Sequence, residues 1–390
     1  MPHKSHLRVL LVDPSLFTAP YDAALTEGLL AADVEPVWAT RPTRAGDRQE
    51  LPLAYTDPFF YRRVDEARWI PRALKPVAKG LAHAAGLLGL LRRVRRLQPD
   101  VVHFQWVVVP LLDLPAMALI QRLFCPVVLT VHDTVAYNGQ KMSWLQRLGH
   151  DGPTRLASRV IVHTQGGRRA LVERGIEARK IAVIPHGALQ LAVPLPETTT
   201  PDPRWTCLLF GEIKPYKGLD VLIEAVGLLP PDQRAGLRMI VAGRPRMDMA
   251  PLLARIDELG IAAQFELRLQ RQSEEEMAAL FAAADCFLFP YRQIDASGVY
   301  FLVKSLGKWL IASRVGIFAE DIDDGVQGAL LPGGDALALA GALAHGLRER
   351  PTGAAARASD AWVAIGRSTR ALYEDATATG LPAPSKLQAG

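Results

Sequence analysis

Cysteine is scarce in this sequence, since its 390 residues contain only Cys125, Cys207 and Cys286. Their odd number and wide separation exclude a disulfide framework and the closely spaced pairs of a structural zinc site. Long apolar runs are also missing: the most apolar segment, residues 101–124, is interrupted by polar side chains, whereas a spanning helix needs about 20 apolar residues. The first apolar run ends at Asp13 without a cleavage-site pattern, so the sequence predicts a cytoplasmic protein.

Several motifs of well-known enzyme classes are absent as well. No GxGxxG follows a predicted strand, and neither GxxxxGK(S/T) nor GxSxG occurs. These absences weigh against dinucleotide oxidoreductases, P-loop NTPases and α/β hydrolases. Residues 1–190 are nevertheless basic, whereas the remainder is mildly acidic, which indicates an anionic partner for the first half. An ordinary basic surface is the alternative interpretation.

Short apolar runs alternate with helical patterns along the whole chain. Buried strands are predicted near residues 7–12, 35–39, 99–104, 126–132, 159–163 and 180–185, and again near 206–210, 238–242, 264–267, 286–289 and 310–312. This alternation predicts an α/β protein with parallel sheets covered on both faces. A Pro- and Thr-rich linker at 191–204 would separate domains at 1–190 and 205–360, followed by a helix at 361–378 and a disordered tail at 379–390.

The first polar segment of the second domain follows a predicted strand directly and opens a helix. It reads GEIKPYKGLD at residues 211–220, where Gly211 allows a tight turn and Lys214 and Lys217 add two ammonium groups. A helix start offers free N–H donors and the positive end of its dipole to an anion. The segment therefore predicts a phosphate or diphosphate site, with a solvated helix start as the alternative.

A second polar segment, residues 291–299, follows a later strand of the same domain. Ser297 is a good N-cap, after which Gly298 and Val299 present backbone N–H groups at a helix start. Asp295 precedes this cap and is a further candidate contact, although it could equally be a turn residue. The spacing predicts a second phosphate cradle at the same edge as the first.

Histidines fall at the ends of predicted strands in the first domain. They are His103, His132, His163 and His186, and Asp133 follows the second of them. The carboxyl ends of parallel strands form the edge at which open α/β sheets bind ligands, so these side chains are candidates for substrate contact. A satisfied structural histidine is the alternative at each position. Because no spacing places three of them on one helix face, no metal site is predicted.

The segment from Arg72 to Arg96 combines apolar residues at helical spacing with many lysines and arginines. An amphipathic basic helix of this kind can rest at an anionic membrane surface. The segment lacks the interleaved aromatic residues on which nucleic acid bases stack, so no nucleic acid partner is predicted. A core-packed helix with a solvated basic end is the alternative.

Taken together, these segments resemble family 4 of the retaining glycosyltransferases. The matching motifs are VHDT at 131–134, VIPHG at 183–187, GEIKPYKGLDVLIEAV at 211–226, AADCFLFPY at 283–291 and SGVYFLVKSLGKWLIAS at 297–313. The resemblance implies the GT-B architecture, in which two Rossmann-like doubly wound domains face an interdomain cleft and a last helix crosses back. It also implies transfer of a sugar from a nucleotide-sugar donor to a glycan or lipid-linked acceptor, with retained configuration and without a metal or cofactor.

The resemblance and the strand-end positions together assign residues to roles. His132 is expected to contact the donor sugar and Lys217 the donor diphosphate, which makes them the candidate catalytic residues. The other candidate donor-binding residues are Gly211, Lys214, Asp295, Ser297, Gly298 and Val299. The candidate acceptor-side residues are Asp13, Tyr21, Asp22, His103 and Asp133.

Two positions depart from the pattern of the family. Leu302 stands where many members have a glutamate, and Glu212 stands where arginine is common. The leading interpretation is a transferase of bacterial polysaccharide or glycolipid biosynthesis that is peripheral on the inner face of the cell membrane. One alternative is a nucleotide-sugar epimerase of similar shape. The other, suggested by the two departures, is a catalytically degenerate protein that binds sugar nucleotides.

Overall fold

The computed structural model describes residues 6–44, 47–62, 64, 67, 70–71, 73–134, 151–197, 202–355 and 358–379. These residues form two units, each built around its own parallel sheet. The first unit contains the described residues of 6–134, 151–187 and 359–379, and the second contains the described residues of 188–358. Arg72, at the start of the predicted basic helix, and the predicted tail beyond Thr379 lie outside the described residues.

The sheet of the first unit has seven parallel strands in the order β3-β2-β1-β4-β5-β6-β7. They are β1 (Leu7–Asp13), β2 (Val34–Thr40), β3 (Thr56–Pro58), β4 (Val101–Phe104), β5 (Val127–Thr130), β6 (Arg159–Val162) and β7 (Ile181–Val183). In β1 the apolar run is buried on both faces, as parallel strands require. The short β3 has no apolar pattern and was not expected; it forms because Thr56 pairs with Trp38 at the edge of β2.

Helices connect the strands of the first unit: α1 (Ala19–Ala31), α2 (Lys75–Leu97), α3 (Pro110–Leu123), α4 (Gly152–Leu156) and α5 (Gln165–Glu173). The helix α3 was not predicted, because its segment contains Pro115 and reads as an interrupted apolar run. In the structure Pro110 occupies the first turn, where a proline is tolerated. Ala116, Met117 and Ile120 form the buried face, so packing against the sheet outweighs the interior proline.

The second unit has a six-stranded parallel sheet in the order β10-β9-β8-β11-β12-β13. Its strands are β8 (Trp205–Phe210), β9 (Leu237–Ala242), β10 (Phe265–Arg268), β11 (Cys286–Phe289), β12 (Trp309–Ser313) and β13 (Gly328–Leu331). Its helices are α6 (Leu219–Leu228), α7 (Pro231–Ala235), α8 (Ala250–Glu258), α9 (Glu274–Ala283), α10 (Gly298–Val303), α11 (Gly316–Asp321) and α12 (Ala336–Glu349). The helix predicted to start after Ser297 is short, since α10 ends at Val303, and Gly307 adopts a positive φ of 65° beyond its end.

The last helix, α13 (Ala358–Thr379), belongs to the first unit. Arg370 donates from Nη1 to the carbonyl of Ala32 at 2.7 Å, and Gly366 packs so closely on Gly28 that a Cβ would lie 1.9 Å from its carbonyl oxygen. Such close backbone packing is open only to glycine. None of the helices in the described part of the chain combines the length and the apolar character needed to cross a bilayer.

Candidate active site

In the second unit, the segment after β8 is held by close packing rather than left as a free loop. Gly211 has a φ of 96° and begins the turn, and Ile213 forms a bridge with Pro245. A short 3-10 helix, Pro215–Lys217, then leads to Gly218, whose φ is 70°. A Cβ at Gly218 would lie 2.0 Å from the carbonyl oxygen of Pro290, so the segment after β8 lies directly against the one after β11.

Lys217 is a buried cation at this carboxyl edge, with 6% of its surface exposed. Its Nζ donates to the carbonyl of Phe210 at 3.0 Å and lies 5.5 Å from the centre of the Tyr291 ring. Among the described residues, no carboxylate lies within ion-pair distance of this ammonium group. Burial and the nearby charge of Lys214 lower the pKa of Lys217 to about 8. A buried cation without a counter-charge is costly, and a bound anion would remove that cost.

Glu212, which stands where the family often has arginine, is held by two cations. Its carboxylate accepts from Arg246 Nε at 2.7 Å, and Lys214 Nζ lies 3.3 Å away. Burial would raise the pKa of Glu212, but these two partners outweigh it and the pKa is lowered. Glu212 is therefore an anion between two cations, and the segment keeps a net positive charge.

The segment after β11 meets the segment after β8 at Gly211. A Cβ placed on Gly211 would lie 2.8 Å from Lys217 Nζ and 3.2 Å from Val299 Cγ2. Ser297 caps α10, its hydroxyl accepting from the backbone N–H of Tyr300 at 3.4 Å. The first amides of a helix have no acceptor within it, and Gly298 is exposed there with open space around its Cα. The structure thus brings together the lysine and the helix start that the sequence singled out.

Arg292 links the segment after β8 to the segment after β11 through hydrogen bonds. This role was not identified from the sequence. Its guanidinium donates from Nη1 to Asp220 Oδ1 at 2.8 Å, and its backbone N–H donates to the carbonyl of Tyr216 at 2.8 Å. Nothing in the sequence links Arg292 to Asp220, because the adjacency of β8 and β11 is a property of the sheet order. Asp295 lies in the same segment, and its carbonyl accepts from the N–H of Ile317 at 3.0 Å.

In the first unit, His132 follows β5 and is enclosed by rings and a polar side chain. Its Nδ1 lies 3.2 Å from His163 Nε2, its Nε2 lies 3.3 Å from Gln105 Oε1, and its ring stacks on Trp106 with centroids 4.9 Å apart. Burial and the neighbouring His163 lower the pKa of His132 below its ordinary value. The imidazole is therefore neutral at pH 7.

Three of the four strand-end histidines surround one tyrosine. The ring centroid of Tyr21 lies 5.0 Å from that of His132, 5.5 Å from that of His163 and 4.8 Å from that of His186. Nδ1 of His163 lies 3.0 Å from the carbonyl oxygen of Ile184, within hydrogen-bond distance. Burial lowers the pKa of His163 to about 4. Tyr21 is itself buried, and its phenol ring packs against all three imidazoles.

Both ring nitrogens of His103 pair with hydroxyl groups of the protein. Nδ1 lies 2.7 Å from the hydroxyl of Tyr373 in α13, and Nε2 lies 2.7 Å from the hydroxyl of Thr130. The side chain is fully buried, and burial lowers its pKa to about 3. These contacts give His103 a part in holding α13. Asp133 is half-buried next to His132.

Asp13 at the end of β1 and Asp22 in the first turn of α1 form a buried pair of carboxyl groups that flanks the loop after β1. Asp13 accepts from the backbone N–H of Ser15 at 3.2 Å and of Thr18 at 3.3 Å, and the Thr18 hydroxyl donates to Asp22 at 3.3 Å. Burial raises the pKa of both acids, and the charge of Asp13 raises that of Asp22 further. The arrangement suits one proton shared between the two carboxyls.

Trp106 connects this loop to His132 and is a second residue whose role sequence reasoning missed. Its Nε1 donates to the hydroxyl of Thr18 at 3.0 Å while its ring stacks on the imidazole. Its position just after β4 was the available signal. Within the described residues, no three His, Cys, Asp or Glu side chains are grouped so that they could hold a metal ion.

Two doubly wound units of this kind define the GT-B fold, and solved structures share it. HepE of Anabaena, solved with UDP and glucose, superposes with a TM-score of 0.63 at 18% identity, covering 95% of this chain and 96% of that one. Sucrose-phosphate synthase of Thermosynechococcus elongatus superposes with a TM-score of 0.62 at 17% identity, with 95% of each chain covered. The GT-B fold predicted from the sequence is thereby confirmed.

Sequence models of protein families identify the family within this fold. The model for Glycosyltransferase Family 4 matches residues 23–188, and that for Glycosyl transferases group 1 matches residues 204–349. The chain belongs to the GT4-like glycosyltransferases, which confirms the resemblance stated from its motifs.

Curated relatives match part of the chain. The D-inositol 3-phosphate glycosyltransferase of Mycobacterium sp. (strain KMS) is 31% identical over 209 residues, which is 49% of this chain and 45% of the relative. The enzyme of the same name from Mycobacterium tuberculosis (strain F11) is 30% identical over 221 residues, which is 52% of this chain and 44% of the relative. The matches thus span less than half the length of these relatives.

Proposed function

We propose that this protein is a retaining glycosyltransferase that moves a sugar from a nucleotide-sugar donor to a glycan acceptor, using no cofactor. The observation that carries the proposal is the buried ammonium of Lys217 beside the start of α10. A diphosphate at this point would supply the counter-charge that none of the described carboxylates supplies to Lys217. Structures of the same fold were solved with UDP and with UDP-glucose, which supports uridine nucleotide-sugars as the first donors to test.

In the proposed reaction an oxygen of the leaving diphosphate serves as the base. Retention requires the acceptor hydroxyl to attack from the face that the diphosphate leaves, so a diphosphate oxygen can accept the hydroxyl proton. The glycosidic bond to the diphosphate breaks, and the new bond forms to the acceptor oxygen. Lys214, Lys217 and the first amides of α10 would stabilise the charge that develops on the diphosphate. No separate strong base or metal ion is required by this scheme.

The neutral state of His132 suits the donor-sugar contact that the family resemblance assigns to it. Glycosyl transfer passes through a transition state with positive charge on the sugar ring. An imidazolium would repel that charge, whereas a neutral imidazole can exchange hydrogen bonds with sugar hydroxyls. The burial that lowers the pKa of His132 keeps it in the neutral form.

The direct test is a nucleotide-release assay with a panel of nucleotide-sugars and glycan acceptors, followed by determination of the anomeric configuration of the product. We expect Lys217→Ala to lose about 100-fold to 1000-fold of the transfer rate, the range for removing one donor to developing charge. Lys308→Ala is the matched control, because Lys308 Nζ also donates to one carbonyl, that of Ala282 at 3.2 Å, but precedes β12. Equal turnover of the two variants would reject the role of Lys217.

The same assay separates the two alternatives. Conversion of one nucleotide-sugar into its epimer without nucleotide release would favour the epimerase, which needs no acceptor. Binding of nucleotide-sugars without either reaction would favour a degenerate binding protein, as Leu302 and Glu212 suggested. The two cations on Glu212 argue against degeneracy, because the positive charge of the segment survives the substitution.

We further propose that α2 holds the protein at an anionic membrane surface, on the cytoplasmic side, where a lipid-linked acceptor of polysaccharide or glycolipid biosynthesis would be met. One face of α2 packs into the unit through Leu87, Leu90 and Val94. Another face exposes large apolar side chains: Val77, Leu81 and Leu88 are 62%, 70% and 58% exposed, and Leu74, the residue before α2, is 57% exposed. Exposed leucines next to lysines and arginines are typical of helices that lie in a membrane interface.

Co-sedimentation with vesicles tests this arrangement. We expect binding to vesicles containing phosphatidylglycerol and little binding to pure phosphatidylcholine, since the charges of α2 need an anionic surface. Leu81→Gln should weaken binding. Leu53→Gln is the control, because Leu53 is 72% exposed in a different element. Failure of the wild type to bind anionic vesicles at low salt would rule out the proposal.

A further inference from the structure

The carboxyl end of β8 is the point at which the sheet of the second unit changes direction. From β8 the chain passes to β9 and β10 on one side and then returns to β11 on the other, as the strand order shows. In open α/β sheets, ligands bind outside the carboxyl ends of the strands at such a switch point. The segments that follow β8, β9 and β11 therefore border the place where a donor would lie, and the segment after β9 is a third candidate beside the two that the sequence indicated.

The segment after β9 runs alongside the segment after β8 and is fixed to it by backbone hydrogen bonds. The N–H of Ile213 donates to the carbonyl of Arg244 at 3.0 Å, and the N–H of Arg246 donates to the carbonyl of Ile213 at 2.9 Å. A Cβ on Gly243 would lie 2.1 Å from the carbonyl oxygen of Gly211, so only glycine allows this approach. The backbone of Arg246 is thus held beside the turn that begins at Gly211.

The side chain of Arg246 lies on the face of these segments that points away from the core. Ile213 pairs with Pro245 and is fully buried, and in an extended segment the residues on either side of such a position face the other way. Glu212 and Arg246 occupy those neighbouring positions, and their side chains are 41% and 44% exposed. Arg246 Nε donates to Glu212 Oε1 at 2.7 Å, and Nη2 lies 2.5 Å from the same carboxylate oxygen. Because Nη1 has no hydrogen-bond acceptor among the described residues, it can bind a ligand while the contact with Glu212 is kept.

Cations outnumber carboxylates around this ion pair. Glu212 is shared with Lys214, whose Nζ lies 3.3 Å from its carboxylate. Lys217 is the third cation, and the charges of Lys214 and Glu212 both act on its pKa, so the ion pair lies within electrostatic range of Lys217. Three cations against one carboxylate give this group of described residues a net charge of +2. A diphosphate group, which is itself anionic, would offset this charge.

We propose that Arg246 binds the diphosphate of the nucleotide-sugar donor and that Glu212 positions its guanidinium for this contact. The inference rests on the proposed function, because it concerns the donor of the transfer reaction. A guanidinium presents its N–H groups in a planar fork that matches phosphate oxygens, whereas an ion pair as exposed as this one contributes little to stability by itself. Glu212 stands where many members of the family have arginine, so in this chain the neighbouring segment supplies the guanidinium.

Equilibrium binding of nucleoside diphosphates tests the role of Arg246 without any transfer reaction. The full chain is titrated with UDP, GDP, ADP and dTDP by isothermal titration calorimetry, and the nucleotide that binds most tightly is used for the variants. We expect Arg246→Gln to raise the Kd of this nucleotide about tenfold or more, as for loss of a hydrogen bond between charged groups. Arg255→Gln is the matched control, because Arg255 Nε donates to Glu224 at 2.7 Å with similar exposure but joins α8 to α6. This control should leave the Kd unchanged.

An exchange of the two charges tests the part given to Glu212. Arg246→Glu should raise the Kd further than Arg246→Gln, because it places a second carboxylate beside the phosphate. The double variant Glu212→Arg/Arg246→Glu should return the Kd to within about threefold of wild type, since the two side chains are in contact and the guanidinium stays in the same place. The control exchange Glu224→Arg/Arg255→Glu should leave the Kd unchanged.

The outcomes separate failure of this inference from failure of the proposed function. If Arg246→Gln binds the nucleotide as tightly as wild type, or if the charge exchange recovers none of the affinity lost in Arg246→Glu, the inference is overturned while donor binding stands. If the wild type binds none of the four nucleotides, the proposed function fails and the inference fails with it.

Discussion

Replacement of Lys217 by methionine should stabilise the protein without ligand and weaken its binding of nucleotide. Methionine retains the buried aliphatic stem and removes the charge. The pKa of Lys217 is about 8 in the folded state against an ordinary value of 10.5, so the folded state penalises the charged form. At about 1.4 kcal/mol per pKa unit, the penalty is roughly 3 kcal/mol near pH 7. The free energy of unfolding of Lys217→Met should exceed that of wild type by about this amount.

The pH dependence gives this difference a signature that general packing effects lack. A depressed folded-state pKa costs stability below about pH 8, and the cost disappears as pH rises through the unfolded-state value near 10.5. About 2 kcal/mol of the difference between variant and wild type should therefore vanish between pH 7 and pH 9.5. All other titrating groups are shared by the two proteins and cancel. Urea denaturation at both pH values measures the difference.

Nucleotide binding provides the second half of the measurement. Loss of one charge-assisted hydrogen bond to a diphosphate costs about 1.5–3 kcal/mol, so UDP should stabilise Lys217→Met far less than wild type. Lys304→Met is the control: Lys304 is paired with Asp321, so its removal should destabilise the fold and leave the UDP effect intact. A variant that is less stable than wild type at pH 7, or that UDP stabilises as strongly, would refute the reasoning.

Three further predictions concern the supports of the site. The folded-state pKa of His163 is about 4 against an ordinary value near 6.5, so protonation between these values favours the unfolded state. The free energy of unfolding should therefore fall by up to about 1.4 kcal/mol per pH unit on acidification in this range. Urea denaturation at pH 7 and pH 5 should show a smaller fall in His163→Gln than in the wild type. Tyr373→Phe removes the closer partner of Nδ1 of buried His103 and leaves Gln105 Nε2 at 3.4 Å, which should cost about 1 kcal/mol and speed hydrogen exchange in α13; unchanged exchange would contradict it. Ser297→Ala removes the cap of α10 and should cost about 1 kcal/mol and weaken nucleotide binding, with Ser297→Thr restoring both.

Much of the architecture could be predicted because buried parallel strands appear in the sequence as short apolar runs. The strands Leu7–Asp13 and Cys286–Phe289 were located within one residue on this basis. The edge strand Thr56–Pro58 and the helix Pro110–Leu123 escaped, because their residues have weak or conflicting local preferences. They form through contacts with elements distant in the chain, and a local pattern carries no record of such contacts.

The candidate site shows the same limit. Lys217 and Val299 could be singled out because each follows a strand at a helix start. That they meet at Gly211 depends on β8 and β11 being neighbours, which their positions in the chain do not reveal. For the same reason, the sequence could not reveal the hydrogen bond from Arg292 to Asp220 or the stacking of Trp106 on His132.

The sequence by itself determined the alternation of strands and helices, the two strand-to-helix segments at which a phosphate site is predicted, and the family to which the chain belongs. Hydrophobic periodicity, glycine positions and capping residues act over a few residues, so they can be read along the chain. Only the tertiary structure decided that Lys217 is a buried cation and that His103 supports a helix. Burial and electrostatic environment depend on what the fold places around a side chain, and those neighbours come from distant parts of the chain.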